Sequence, residues 1–205
     1  SVNIPGALHA WFSMHQKYGV LDFEQLFITA ENYANNGYPV HEVVAKAWKD
    51  NIDKLKINKN TNSIFLKNDQ PYNYGEIHKN TKLAETLKSI AKNGIKDFYN
   101  GYIAQDIVHT LNSLGGLHTM DDFAKQKTIF SDSLNMKYKN INIHQCPPNG
   151  PGLTVLMMMG IFEKFDFSNI DPMSDKRFHL QAEVTKLAYE QREAYLSDPN
   201  FNNFE

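Results

Sequence analysis

Cysteine is almost missing from this 205-residue chain. Cys146 stands alone, which excludes an intramolecular disulfide and a cysteine-rich zinc site. A basic surplus is missing as well: Lys and Arg total 21 against 23 Asp and Glu, a formal net charge of −2. Nothing in that balance points to nucleic acid as a partner. No window reaches the ~18 uncharged apolar residues of a membrane span. There is no internal repeat, and no low-complexity tract beyond a bias to Asn and Lys. Ser1 to Gly6 carries neither an initiator Met nor a signal-peptide pattern, and Ser197 to Glu205 stops just after a strong helix pattern. Both ends therefore read as cut, and the bacterial periplasm and the cytoplasm are both open as compartments.

Apolar residues are plentiful, at 41%, enough for a sizeable core in one domain or a large part of one. The organising stretch is Ile141 to Gly160. Ile141, Asn142, Ile143, His144 and Gln145 alternate as a half-buried strand does. Leu153 to Gly160 is a continuous apolar run that reads as a buried helix. Between them lies a corner made of Pro147, Pro148, Asn149, Gly150, Pro151 and Gly152. The prolines cannot donate to a ladder, so the strand should end there. Gly150 and Gly152 admit backbone angles or close approaches that a Cβ blocks. Such a corner reads as a tight structural turn, or as a helix start whose free N–H groups face a reaction centre.

The rest reads mostly as helix. Pro5-Gly6 opens a helix with Leu8, Trp11, Phe12, His15 and Tyr18 inward and Gly19 as its stop. A second follows Asp22, with Phe23, Leu26, Phe27, Ala30, Tyr33 and Ala34 on one side. A third is expected from Glu42 to Leu55, with Val43, Val44, Ala47, Trp48 and Ile52 inward. Lys56 to Asn80 is polar and Asn-rich and reads as a surface excursion, with Ile64-Phe65-Leu66 as a short strand or packed loop. Leu83 to Gly94 and Ile103 to Gly115 are further helices, with Asp97 to Gly101 a short helix or turn between them. Thr119 and Asp122 form a capping box. Leu134, Met136 and Tyr138 alternate, so Lys139-Asn140 turns a β-hairpin into Ile141. Ser174 caps a last helix reaching Leu196, its stripe formed by Phe178, Ala182, Thr185, Tyr189 and Arg192. The fold class is mainly α with a small β-hairpin or sheet.

Isolated candidates for chemistry are few. His179 and Glu183 share a helix face, but no third metal ligand accompanies them. A structural histidine and an ion pair of Glu183 with Lys186 are expected instead. Cys146 has His144 two residues back, yet it sits before two prolines and reads as a buried structural thiol rather than a nucleophile. Met157, Met158 and Met159 read as core, or as an adaptable face if left uncovered.

The order of motifs resembles the γ-glutamyltransferase (γ-glutamyltranspeptidase) family. The resemblance runs from Val2-Asn-Ile-Pro-Gly6 with Trp11, through Ala30-Glu-Asn-Tyr-Ala34 and Gly37-Tyr-Pro-Val40, to Phe98-Tyr-Asn-Gly101. It continues through Gly115-Gly-Leu-His-Thr119, Pro147-Pro-Asn-Gly150 with Gly152, and His179, Glu183 and Arg192, to Asp198-Pro-Asn-Phe201. That is nearly the whole chain, in order. The corner departs from the better-known Pro-Pro-Ser-Ser-Gly-Gly form and looks like a branch with varied substrates, related acylases included.

The resemblance implies an N-terminal nucleophile hydrolase whose proenzyme cuts itself to free a threonine nucleophile, with the α-amino group as its base. It implies an αββα sandwich of which residues 1–205 are a single partial domain, the middle to late large-subunit region. The nucleophile, the oxyanion donors and most substrate contacts then lie outside this chain. No catalytic residue, metal or cofactor is assigned to it, and its substrate-binding residues are undefined. The implied partner is the small subunit or the remainder of the proenzyme. Without that partner, a homodimer is expected through the hairpin edge at Ile141 and Ile143 and the Met157–Met159 face. The alternatives are a standalone helical interaction module and a related acylase acting on another amide.

Overall fold

Stop signals and caps decide where the helices lie, and packing decides the rest. The computed structural model describes residues 2–148 and 150–198, which divide into two compact units, 1–128 and 129–205. The first begins with α1 (Ala7–Tyr18), a 3-10 turn at Phe23–Phe27, α2 (Ile28–Asn36) and β1 (Tyr38–Pro39). It continues with α3 (Glu42–Asp50), α4 (Ile52–Ile57), α5 (Lys59–Phe65), β2 (Leu66–Lys67), β3 (Gln70–Pro71) and β4 (Ile77–His78). It closes with α6 (Thr81–Asn93), α7 (Lys96–Tyr99), α8 (Tyr102–Ser113) and α9 (Met120–Ala124).

The core of this unit is Leu8, Phe27, Ile90, Tyr99, Ala104 and Phe123, ringed by Phe23, Leu87, Phe98 and Ile107. Tyr99 does more than fill space. α1 starts after Gly6, which has no side chain to cap it. The Tyr99 hydroxyl accepts the His9 N–H at 3.1 Å and donates to the Pro5 carbonyl at 2.6 Å. A phenol some ninety residues away thus satisfies one of the orphan donors at the helix start. Burial raises the Tyr99 pKa and keeps it a neutral donor.

Several helix faces differ from the sequence expectation. Trp11 is 61% exposed and Tyr18 also faces out, while Phe12 and His15 pack edge-on and tilted against Phe23. Leu26, Tyr33 and Val43 are exposed too. The helix expected to run through to Leu55 breaks at Asn51, whose side chain donates back to the Ala47 carbonyl at 2.9 Å. The expected surface excursion is folded. Asn58 caps α5 by accepting from the Asn60 and Thr61 N–H groups. β2 pairs antiparallel with β3, and β1 with β4 in the register Tyr38↔His78. These pairings depend on aromatic packing from distant positions, which local polarity does not report.

The second unit holds β5 (Leu134–Tyr138), β6 (Ile141–Gln145), α10 (Gly152–Phe162) and α11 (Asp175–Tyr195). The hairpin forms as expected. Tyr138 pairs with Ile141, and Lys139 takes the left-handed conformation at φ 52°. Its half-buried face, Leu134, Met136 and Ile143, lies on the side of α10, and α10 packs on α11. Ser174 caps α11 by accepting from the Arg177 N–H. The buried face of α11 is Val184 and Ala188; Phe178, Ala182 and Tyr189, expected inward, are exposed. The architecture is mainly helical with small antiparallel sheets, and no described helix is long and apolar enough to cross a membrane.

Candidate functional site

The corner between β6 and α10 forms where the sequence places it. β6 ends at Gln145 and α10 begins at Gly152, with no side-chain cap at Pro151. Pro147, Pro148 and Gly150 are half-buried and Gly152 is buried; Asn149 lies outside the described residues. Gly152 is not among the glycines with positive φ, so left-handed backbone is not what requires it. Close approach is what requires Gly152. A Cβ there would sit 2.6 Å from the Cys146 carbonyl oxygen and 2.9 Å from the Gln145 Cβ. At Gly150 a Cβ meets nothing within 4 Å among the described residues. The first turn of α10 therefore lies directly against the end of the strand, and only glycine fits at the contact.

One feature of this corner escaped the sequence. Thr154, in the first turn of α10, is 3% exposed and its hydroxyl has no hydrogen-bond partner among the described residues. A lone Thr in an apolar run carries no signal that its hydroxyl will be stranded. Leu156 is buried, and Met157, Met158 and Met159 are half-buried.

Among the described residues the corner brings together no nucleophile and base. Cys146 is exposed, not the buried thiol expected, because the two prolines end the ladder and leave it beyond the last strand pair. His144 bonds the Ser133 hydroxyl through Nδ1 at 3.0 Å, and both residues are exposed. His179 is exposed, and Glu183 pairs with Lys186 at 3.0 Å as expected. Among the described residues no group of three His, Cys, Asp or Glu is placed to hold a metal.

The carboxyls held below their usual range serve caps and turns. Asp122 takes the Thr119 hydroxyl at 2.7 Å and the Thr119 N–H at 2.8 Å, completing the expected capping box. Asp97 is lowered by hydrogen bonds from Asn93 and Ser89, and Asp166 by the Ser168 hydroxyl and N–H. These are signatures of local structure, not of a general acid.

A helical scaffold with a tight strand-to-helix corner, where the described residues bring no nucleophile and base together, is the class that fold and site define. The profile described as Gamma-glutamyltranspeptidase matches residues 1–205, and the chain belongs to that family. It is 31% identical to a glutathione hydrolase-like proenzyme of Bacillus subtilis over 201 residues, 98% of this chain but 38% of that protein. Its fold matches Helicobacter pylori gamma-glutamyltranspeptidase with a TM-score of 0.90 at 26% identity, covering 97% of this chain and 58% of that one. It matches a cephalosporin acylase of Bacillus halodurans with a TM-score of 0.88 at 28% identity, covering 98% and 38%. The chain thus spans well under half of the curated relative.

Proposed function

We propose that this chain is the middle to late large-subunit region of a γ-glutamyltransferase-like amidohydrolase or acyltransferase. Residues 1–205 form one partial domain of an αββα N-terminal nucleophile hydrolase. The whole protein transfers or hydrolyses a γ-glutamyl amide, or a related acyl amide. The carrying observation is the match of this entire chain to a family whose members it covers only in part. The second observation is chemical. Thr119 is occupied in a capping box and Thr154 is buried within a helix, so neither is poised as an activated hydroxyl.

On this reading the nucleophile, its amine base and the oxyanion donors come from the small subunit or the rest of the proenzyme. The chain's own work is scaffolding. The corner at Gly152 fixes how α10 leaves β6, and the Tyr99 clip fixes where α1 begins. The likeness to an acylase and the Pro-Pro-Asn-Gly form of the corner favour an acyl amide broader than glutathione as substrate. Neither a metal nor a cofactor enters the scheme.

The test is hydrolysis of a γ-glutamyl anilide. The purified chain alone should show no turnover above background, and restoring the remainder of a family member's proenzyme, its early large-subunit region and threonine-bearing small subunit together, should bring turnover back. Robust turnover by the chain alone, abolished by mutating one of its own residues, would overturn the proposal.

A further inference from the structure

His78 is the most enclosed titratable group described, at 2% exposure, and the reaction scheme gives it no role. It stands on β4 at the neck of residues 41–75, the stretch between β1 and β4. The neck is closed by the β1–β4 pair and by the Val40 N–H to the Glu76 carbonyl and the Gly75 N–H to the Val40 carbonyl, each 2.9 Å. α2 and α6 pack on one another independently of this stretch, with the Asn80 N–H on the Ala34 carbonyl at 2.9 Å. The stretch is therefore an inserted lobe, and the His78 ring is the centre of its packing.

Four rings surround that imidazole. Trp48 lies 5.0 Å away, Tyr72 5.1 Å and Tyr38 5.6 Å, all edge-to-face, and Phe65 stacks nearly parallel at 6.1 Å. Nδ1 is buried and has no hydrogen-bond partner among the described residues. The two phenols are the titratable groups facing the ring. Lys46 pairs with Asp50 on α3, and Lys67 pairs with Glu76 at 3.4 Å. None of these, nor Glu42, Lys49 or Lys79, hydrogen-bonds the imidazole.

We propose that His78 is an acid-sensitive latch: neutral, it packs the lobe 41–75 shut, and protonated, it releases the lobe while the core around Phe123 stays folded. An added proton at Nδ1 needs an acceptor, and the described side chains provide none. The rings offer some attraction to a cation, but the lost hydration of an imidazolium outweighs it in a site this closed. Burial accordingly holds the His78 pKa below the ordinary histidine value. The sign follows from that direction. The open lobe binds the proton more readily, so closure is complete above ~6.5 and weakens as pH falls from there toward the lowered folded-state value. One linked proton changes the open population by at most about tenfold per pH unit.

The chain has two tryptophans, and Trp11 is exposed, so W11F leaves Trp48 as a reporter inside the lobe. Trp48 emission and tryptic cleavage at lobe lysines are followed in the whole chain between pH 7.5 and 5.5. We expect cleavage within the lobe to rise by roughly three- to tenfold per pH unit below ~6.5, reversibly, with cleavage elsewhere unchanged. H78F, which keeps an aromatic ring but cannot titrate, should lose that dependence. A pH-independent lobe, or an H78F lobe opening over the same range as the parent, would overturn the latch. Should H78F fail to fold, NMR titration of the His78 ring in the parent chain decides: a pKa at or above the ordinary histidine value overturns it, and a lower one supports it.

Discussion

Residues 1–128 and 129–205 solve the same problem to different degrees. The first unit closes a core of its own: Leu8, Phe27, Ile90, Tyr99, Ala104 and Phe123 are buried together, drawn from α1, the 3-10 turn, α6, α7, α8 and α9. The second has a continuous apolar helix, yet Met157, Met158 and Met159 are only half-buried and Ile141 is 66% exposed. Its hairpin is a two-stranded sheet with no further strand on either edge among the described residues. Two strands and two helices do not supply enough surface to cover one another. The first unit is complete as a packed object. The second leaves more of its apolar surface uncovered among the described residues.

Core truncations test that contrast with the largest effect. Phe123 is fully buried, so Phe123→Ala should cost about 3–5 kcal/mol in denaturant unfolding. Met158→Ala removes a side chain already half in water and should cost about 1 kcal/mol in the chain alone. Comparable losses would mean that the second unit is as closed as the first.

The corner glycines sharpen it next. Gly152→Ala drives a methyl into the Cys146 carbonyl and should cost about 1–3 kcal/mol, read as a lower thermal midpoint. Gly150→Ala meets open space and should stay within about 0.5 kcal/mol of the parent. Equal midpoints for the two variants would show that the α10–β6 contact does not constrain the unit.

Local chemistry made much of this fold legible. Thr119 and Asp122 announce their capping box, Ser174 its helix and Lys139-Asn140 its turn, because each rests on residues a few positions apart. Gly37, Gly94 and Gly115, with positive φ, end helices where the sequence says they should. The lobe was not legible. Asn58, Asn60 and Asn62 read as loop, while the rings that organise the segment come from Tyr38, Trp48, Phe65 and Tyr72, widely spaced along the chain. Helix faces were misjudged where apolar rings are more numerous than the core can take, as at Trp11, Tyr18 and Phe178. The corner was found from its prolines and glycines, but the stranded Thr154 hydroxyl, the exposure of Cys146 and the Tyr99 clip depend on tertiary placement. The expectation that the nucleophile lies outside this chain came only from the family resemblance, since no motif within residues 1–205 speaks for it.

The most direct test of the contrast between a closed first unit and an open second one is sedimentation velocity of the chain at micromolar concentration, alone and with a small subunit of a family member. Exposed strand edges and half-covered apolar faces draw in another chain. The account predicts that the chain alone self-associates, with a two-fold homodimer as the simplest species. The small subunit should replace that association by a one-to-one complex in which Ile141 and Met158 become protected. A clean monomer that ignores the small subunit, with Ile141 and Met158 already shielded, would contradict it.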